Sequence, residues 1–135
     1  MKDHIIVVGA GKFGSYLASS LSARGQDVFI IDKNKDAFAN LPEGFGGYEI
    51  NDDAFEQEVL EEAEVAKASQ VIICTNSDNA NIFIANICDV IYHVPLIFVR
   101  QSNEDKVSLL AGTRYKVIYP FNLSIQQYFD MVEGK

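Results

Sequence analysis

Apolar runs of strand length alternate with longer segments of helical periodicity along the whole chain. Short runs rich in Val and Ile predict strands at 4–8 (HIIVV), 27–31 (DVFII), 47–50 (GYEI), 70–74 (QVIIC), 95–99 (PLIFV) and 116–119 (KVIY). Apolar positions at helical spacing predict helices over 13–24, 34–40, 53–66, 78–92, 103–112 and 123–132. Turn residues agree with these cuts: Gly25 follows the first helix, Pro42 and Gly44 the second, and Gly112 the fifth. The strands at 4–8, 27–31, 70–74 and 95–99 each carry a continuous apolar run of at least four residues, as in a parallel sheet with helices on both faces. Right-handed crossovers then predict a doubly wound α/β fold, six parallel strands in the order 3-2-1-4-5-6. Its ligand crevice lies above the carboxyl ends of the first and fourth strands. The 135 residues suit a single domain, 1–135, and are too few for a separate catalytic domain.

The motif with the most chemical content is Gly9-Ala10-Gly11-Lys12-Phe13-Gly14, which follows the first strand directly and opens an amphipathic helix. In that context the spacing is that of a Rossmann-like phosphate turn. Gly9 permits the tight turn, Gly11 lets backbone approach a pyrophosphate, and Gly14 lets the helix pack on the strand. The helix N-terminus offers unpaired N–H groups and the positive end of a dipole. Asp32 ends the second strand 18 residues past Gly14, where a dinucleotide fold places a carboxylate for the ribose hydroxyls. That charge repels a 2′-phosphate and favours NAD(H) or an unmodified adenine nucleotide over NADP, although Lys33 and Lys35 blur the preference. Asp32 capping a helix near residue 34 is the structural alternative, compatible with the first.

Three more segments border the crevice. Asn51, Asp52 and Asp53 follow the third strand, where Asp52 is placed beside an adenine and Asp53 is suited to capping the next helix. Thr75, Asn76, Ser77 and Asp78 follow the fourth strand, with Asn81 close behind. Their short polar side chains can bind phosphate, a ribose or neighbouring loops; for Asn81 bracing a loop is at least as good a reading. Arg100 closes the fifth strand and can grip phosphate or pair with Asp78 or a neighbouring subunit. In the last helix Ile125, Tyr128, Phe129 and Val132 form one apolar stripe, which lies on the sheet of its own domain or crosses to a partner, a homodimer contact being the favoured reading.

Charge and missing chemistry narrow the class. A net charge of −8 argues against a nucleic-acid or anionic-membrane binder. Cys74 and Cys88 have no metal-ligand spacing and read as core thiols in a reducing cytoplasm; the apolar run at the N-terminus is too short for a signal or a membrane span. No Tyr-x-x-x-Lys pair, GxSxG elbow or Walker-A lysine occurs, and His4 and His93 fall away from the crevice. The chain therefore carries residues to hold a nucleotide and no catalytic residue or metal site.

Taken together, HIIVVGAGKFGSYLASSL, IIDKN at 30–34, NDD at 51–53, TNSDNAN at 75–81, FVR at 98–100 and VIYP at 117–120 resemble the N-terminal half of the RCK or KTN domain, also called TrkA-N. Members are cytoplasmic regulators of potassium channels and Trk/Ktr-type potassium transporters. The resemblance implies that Gly9, Gly11 and Gly14 hold phosphates, Asp32 the ribose and Asp52 the adenine side, with Thr75 and Arg100 bordering the phosphates. It implies NAD(H), AMP, ADP or ATP as ligand. It also implies a homodimer or higher homo-oligomer acting on a membrane channel or transporter subunit at the inner face of the cell membrane. The C-terminal half of the full regulator is not in this chain, so a stand-alone member and an excised domain are both open. An NAD-dependent oxidoreductase fragment and a nucleotide sensor with a soluble partner are the rival readings.

Overall fold

The computed structural model describes residues 2–135. Strands β1 (His4–Val8), β2 (Asp27–Ile31), β3 (Tyr48–Ile50), β4 (Gln70–Ile73), β5 (Leu96–Arg100) and β6 (Lys116–Ile118) form one sheet in the order β3-β2-β1-β4-β5-β6. Every neighbouring pair is parallel, as the apolar strands predicted. Helices α1 (Lys12–Ala23), α2 (Gln57–Glu62), α3 (Asp78–Val90), α4 (Glu104–Leu109) and α5 (Pro120–Val132) complete the chain, with 3-10 turns at Lys35–Asn40 and Val65–Lys67.

Register brings the crevice together. Val8 pairs with both Ile31 and Ile73, Ile31 with Ile50, and Ile73 with Val99. The residues one step beyond, Gly9, Asp32, Asn51 and Cys74, therefore leave the sheet along one edge, where Arg100 is the last residue of β5. Successive side chains alternate between faces and both faces are apolar. Ile6, Val8, Ile31, Ile73 and Val99 pack against Leu60, Ile84, Ala85 and Cys88 of α2 and α3. Ile5, Val7, Val28, Ile30 and Ile72 face α1 and the first 3-10 turn, through Ala18, Leu17, Leu21 and Phe38.

Four predicted elements differ in form. The helix expected over 34–40 is a 3-10 turn capped by Asn34, whose side chain accepts from the Asp36 amide. Pro42 holds Leu41 extended at ψ 138 and stops a longer helix from propagating. The helix expected over 53–66 is only Gln57–Glu62: Glu64 turns left-handed at φ 60, swinging Val65 and Ala68 into the core ahead of β4. Burial overrides helix propensity there. The helix expected over 103–112 ends at Leu109, and the last helix starts at Pro120 rather than 123, with proline in its first turn where no N–H is needed.

Both histidines stand away from the crevice. His4 sits at the opposite end of β1 with Nδ1 3.1 Å from Asp27 Oδ2 and Nε2 2.7 Å from the Ala63 carbonyl oxygen. His93 occupies a left-handed turn at φ 53 between α3 and β5. Cys74 and Cys88 are free and buried, and burial pushes both thiols up to about 12. No helix among the described residues is long and apolar enough to cross a membrane.

Candidate functional site

The three motif glycines do separate jobs. Gly9 has φ +109, and a Cβ there would lie 2.8 Å from the Cys74 carbonyl oxygen, so turn and neighbouring strand touch backbone to backbone. A Cβ at Gly14 would lie 1.9 Å from the Gly9 carbonyl oxygen, so α1 reaches the turn only without one. Gly11 is different: a Cβ there meets nothing within 4 Å. Gly11 is the N-cap of α1, no side chain caps the helix, and no acidic residue stands in its first turn. Helix geometry leaves the first amides, those of Lys12 and Phe13 among them, without an intrahelical acceptor. The open space lies where an anion would approach them.

Ala10 contributes to the turn rather than to that space. Its amide donates to Asp32 Oδ2 at 2.7 Å, and its carbonyl accepts from Ser15 Oγ at 2.9 Å and Asn40 Nδ2 at 3.0 Å. Asp32 Oδ1 accepts from the Asn34 amide at 2.8 Å. Asp32 thus clamps the glycine turn to the end of β2 while lining the cavity beside it, and the cap assigned to it as an alternative belongs to Asn34. Asn51 Nδ2 donates to the Asp32 carbonyl oxygen at 3.0 Å and ties the end of β3 to β2.

Asp52 and Asp53 both line the cavity. Asp52 Oδ1 accepts from the Asp53 amide at 2.8 Å, and Asp53 Oδ1 from the Phe55 amide at 2.9 Å. Asp53 therefore braces the turn before α2, whose N-cap is Glu56, instead of capping the helix itself. On the opposite wall Asn81, fully buried, organises the loop after β4. Its Oδ1 accepts from the Thr75 amide at 3.1 Å and from the Thr75 hydroxyl, while its Nδ2 donates to the carbonyl oxygens of Thr75 at 3.1 Å and Arg100 at 2.7 Å. The bracing role is the one observed. Ser77 Oγ accepts from the Ala80 amide and caps α3.

Arg100 does not pair with Asp78. That carboxylate accepts from the Ser102 amide, the Ser102 hydroxyl and the Asn103 amide, and so holds the loop after β5. The Arg100 Nε is buried without a hydrogen-bond partner, and among the described residues Arg100 makes no ion pair. Its charge reaches the floor of the turn. Burial dominates in raising the Cys74 thiol to about 12, while Arg100 opposes the shift and Asp32 reinforces it.

These elements enclose a cavity of about 360 Å³, bordered by Gly9, Asp32, Lys33, Asp52, Asp53, Thr75, Asn76 and Ser77. That size falls in the range of small-molecule sites, roughly 300–1,000 Å³. Gly11, Lys12, Phe13 and Gly14 lie outside its lining at the start of α1, and Arg100 lies outside it at the end of β5. The apolar wall, which includes Phe55, Ala80 and Ile84, is not evident from motif spacing. An aromatic two positions after Asp53, in a segment otherwise rich in Glu, is the signal that marks Phe55 in the sequence.

The strand order, the glycine turn and the carboxylate at the end of β2 define a Rossmann-like α/β domain. The chain belongs to the TrkA-N domain family, whose model matches residues 5–120. It is 32% identical over 97 residues to the Trk system potassium uptake protein TrkA of Streptomyces coelicolor, covering 72% of this chain and 44% of that protein. It is 30% identical over 131 residues to a TrkA homolog of Pyrococcus horikoshii, covering 96% of this chain and 53% of that protein. The chain thus spans about half the length of these curated relatives.

Solved structures share the fold. The TrkA-N domain of the inner membrane protein ybaL from Escherichia coli superposes with TM-score 0.85 at 18% identity, covering 97% of each chain. GsuK bound to ADP gives TM-score 0.77 at 23% identity, over 96% of this chain and 34% of that one. The GsuK channel bound to NAD gives 0.72 at 20% identity, over 87% of this chain and 21% of that one.

Proposed function

We propose that this domain binds an adenine nucleotide, NAD(H) or one of AMP, ADP and ATP, and takes no chemical step with it. Occupancy of the crevice biases a homodimer joined through α5, and that dimer regulates a membrane potassium channel or transporter. The observation that carries the binding reading is the uncapped start of α1 with open space at Gly11, next to a cavity bordered by Asp32. Amides and dipole offer a phosphate site, and Asp32 beside the turn offers ribose hydroxyls a carboxylate. The unpaired Arg100 adds a cation at the end of β5, which supports a phosphate-bordering role for it.

ADP and NAD, each seen on GsuK, have adenosine diphosphate in common, so both fit a site that reads ribose and phosphates. Potassium regulation is supported by the family and by the names of the relatives. A ligand can shift an assembly only by its differential affinity for two arrangements. The loops at 10–14, 75–81 and 100–102 border the crevice from three strands and are suited to supply that difference.

The test is calorimetric titration of the wild type and Gly11→Val with NADH, ADP and AMP. Because a side chain at Gly11 meets only open space, the variant should keep its thermal midpoint and lose nucleotide binding. Unchanged affinity in Gly11→Val would remove the phosphate assignment. NADH oxidation against a panel of carbonyl compounds should stay at background, and turnover there would favour the oxidoreductase reading instead.

A further inference from the structure

The cavity has one polar wall and one apolar wall, and the apolar wall ends in an aromatic pair open to water. Phe55 borders the cavity and is 42% exposed; Phe83, on α3, is 51% exposed and outside the lining. Their ring centroids lie 5.1 Å apart at 86°, an edge-to-face arrangement. Scattered exposed aromatics need no explanation. Two held against each other at the mouth of a cavity differ, because the contact sets the plane of the Phe55 ring before any ligand arrives. The Phe55 amide is also fixed, by its 2.9 Å bond to Asp53 Oδ1.

We infer that Phe55 is the platform on which the purine base stacks, and that Phe83 is the positioning residue that holds its ring. This rests on the nucleotide reading above. With phosphates at the start of α1 and ribose at Asp32, the base points away from the glycine turn, toward the Asp52–Phe55 side of the cavity. There the flat ring of Phe55 and the small side chain of Ala80 leave room for a planar group. Stacking of a base on an aromatic ring uses the π-face of the base and is insensitive to what lies beyond the phosphates. The same platform therefore serves AMP, ADP and NAD(H) alike.

The chain contains no tryptophan, so Phe55→Trp introduces a single indole reporter. Titrated with ADP, its emission should change saturably with the midpoint found by calorimetry. Phe55→Ala should weaken ADP about tenfold and leave inorganic pyrophosphate affinity unaltered. Phe83→Ala in the Phe55→Trp background should lower the indole anisotropy without ligand and weaken ADP only a few-fold. Both rings are exposed, so thermal midpoints should move little and serve as the folding control. If Phe55→Ala binds ADP like the wild type, or the indole ignores saturating ADP, the platform is refuted while the nucleotide reading survives. A wild type that binds neither ADP nor NADH removes both.

Discussion

The two ends of the sheet are built to different standards. Around β1 and β4 every strand position but the first is buried, and helices close both faces. At the other end β6 has no buried residue, Leu96 at the start of β5 is 38% exposed, and α5 buries none of its 13 residues. Ile97 and Val99 are covered by the α2 and α3 side, whereas Leu96 and Phe98 point to the face of α1, which is too far along the sheet to cover them fully. All the cavity-lining residues except Asp53, Phe55 and their neighbours hang directly from the closed end. A ligand site needs supports locked by packing, and a contact surface needs apolar area left over. This fold separates the two needs along one sheet.

Gly14→Ala tests the closed end most severely. The added methyl would lie 1.9 Å from the Gly9 carbonyl oxygen and 3.0 Å from Cys74 Sγ, so α1 has to lift off the turn. A loss on the order of 3 kcal/mol in urea unfolding is expected. Next in size, taken per pH unit, is the effect of pH on the two thiols of that end, Cys74 and Cys88, raised by burial from 9.0 to about 12. Their folded values exceed the unfolded ones, so the stability they contribute is complete below pH 9 and is lost as pH rises toward about 12. Each thiol should cost on the order of 1 kcal/mol per pH unit in that window. The measurement is the difference in unfolding free energy between wild type and Cys74→Ala/Cys88→Ala, which should shrink steadily above pH 9. A difference constant from pH 8 to 11 would mean that both thiols ionise in the folded protein as they do unfolded.

The same contrast explains what could be read from the sequence. Strands apolar on both faces announce themselves as continuous runs, so β1, β2, β4 and β5 and their order were legible, and register then carried Gly9, Asp32 and Arg100 to one edge. The glycine spacing was legible because each position has one steric meaning. Hydrogen-bond partners were less so: Asp32 is shared between Ala10 and Asn34, and Asp78 serves Ser102 and Asn103 instead of Arg100. Short carboxylates have several backbone amides within reach, and only the folded turn selects among them. Phe55 was missed because a half-exposed aromatic next to acidic residues has no periodic partner in its own segment; Phe83, 28 positions later, belongs to another helix. Helix ends were misplaced where core burial, not propensity, sets them, as at Glu64.

The smallest effect on stability is expected at the open end, and it separates the two ends most cleanly. Phe129 is 52% exposed, and its ring lies edge to face with Tyr128 of the same helix, centroids 5.2 Å apart. Phe129→Glu therefore removes little packing within one chain, and its unfolding free energy should stay within about 0.5 kcal/mol of the wild type. If the apolar stripe of Ile125, Tyr128, Phe129 and Val132 is the dimer contact, a carboxylate at its centre must be buried unpaired against the second copy. Sedimentation equilibrium should then show wild type as a dimer and the variant shifted to monomer at equal concentration. Nucleotide affinity per chain should persist, since Asp32, Gly11 and Asn81 belong to the closed end. A variant that stays dimeric would move the contact elsewhere, with the uncovered side of β5 and β6 as the next surface to alter. A variant that loses nucleotide binding together with the dimer would show that the crevice draws on both copies, and that the division of labour along the sheet holds for packing alone.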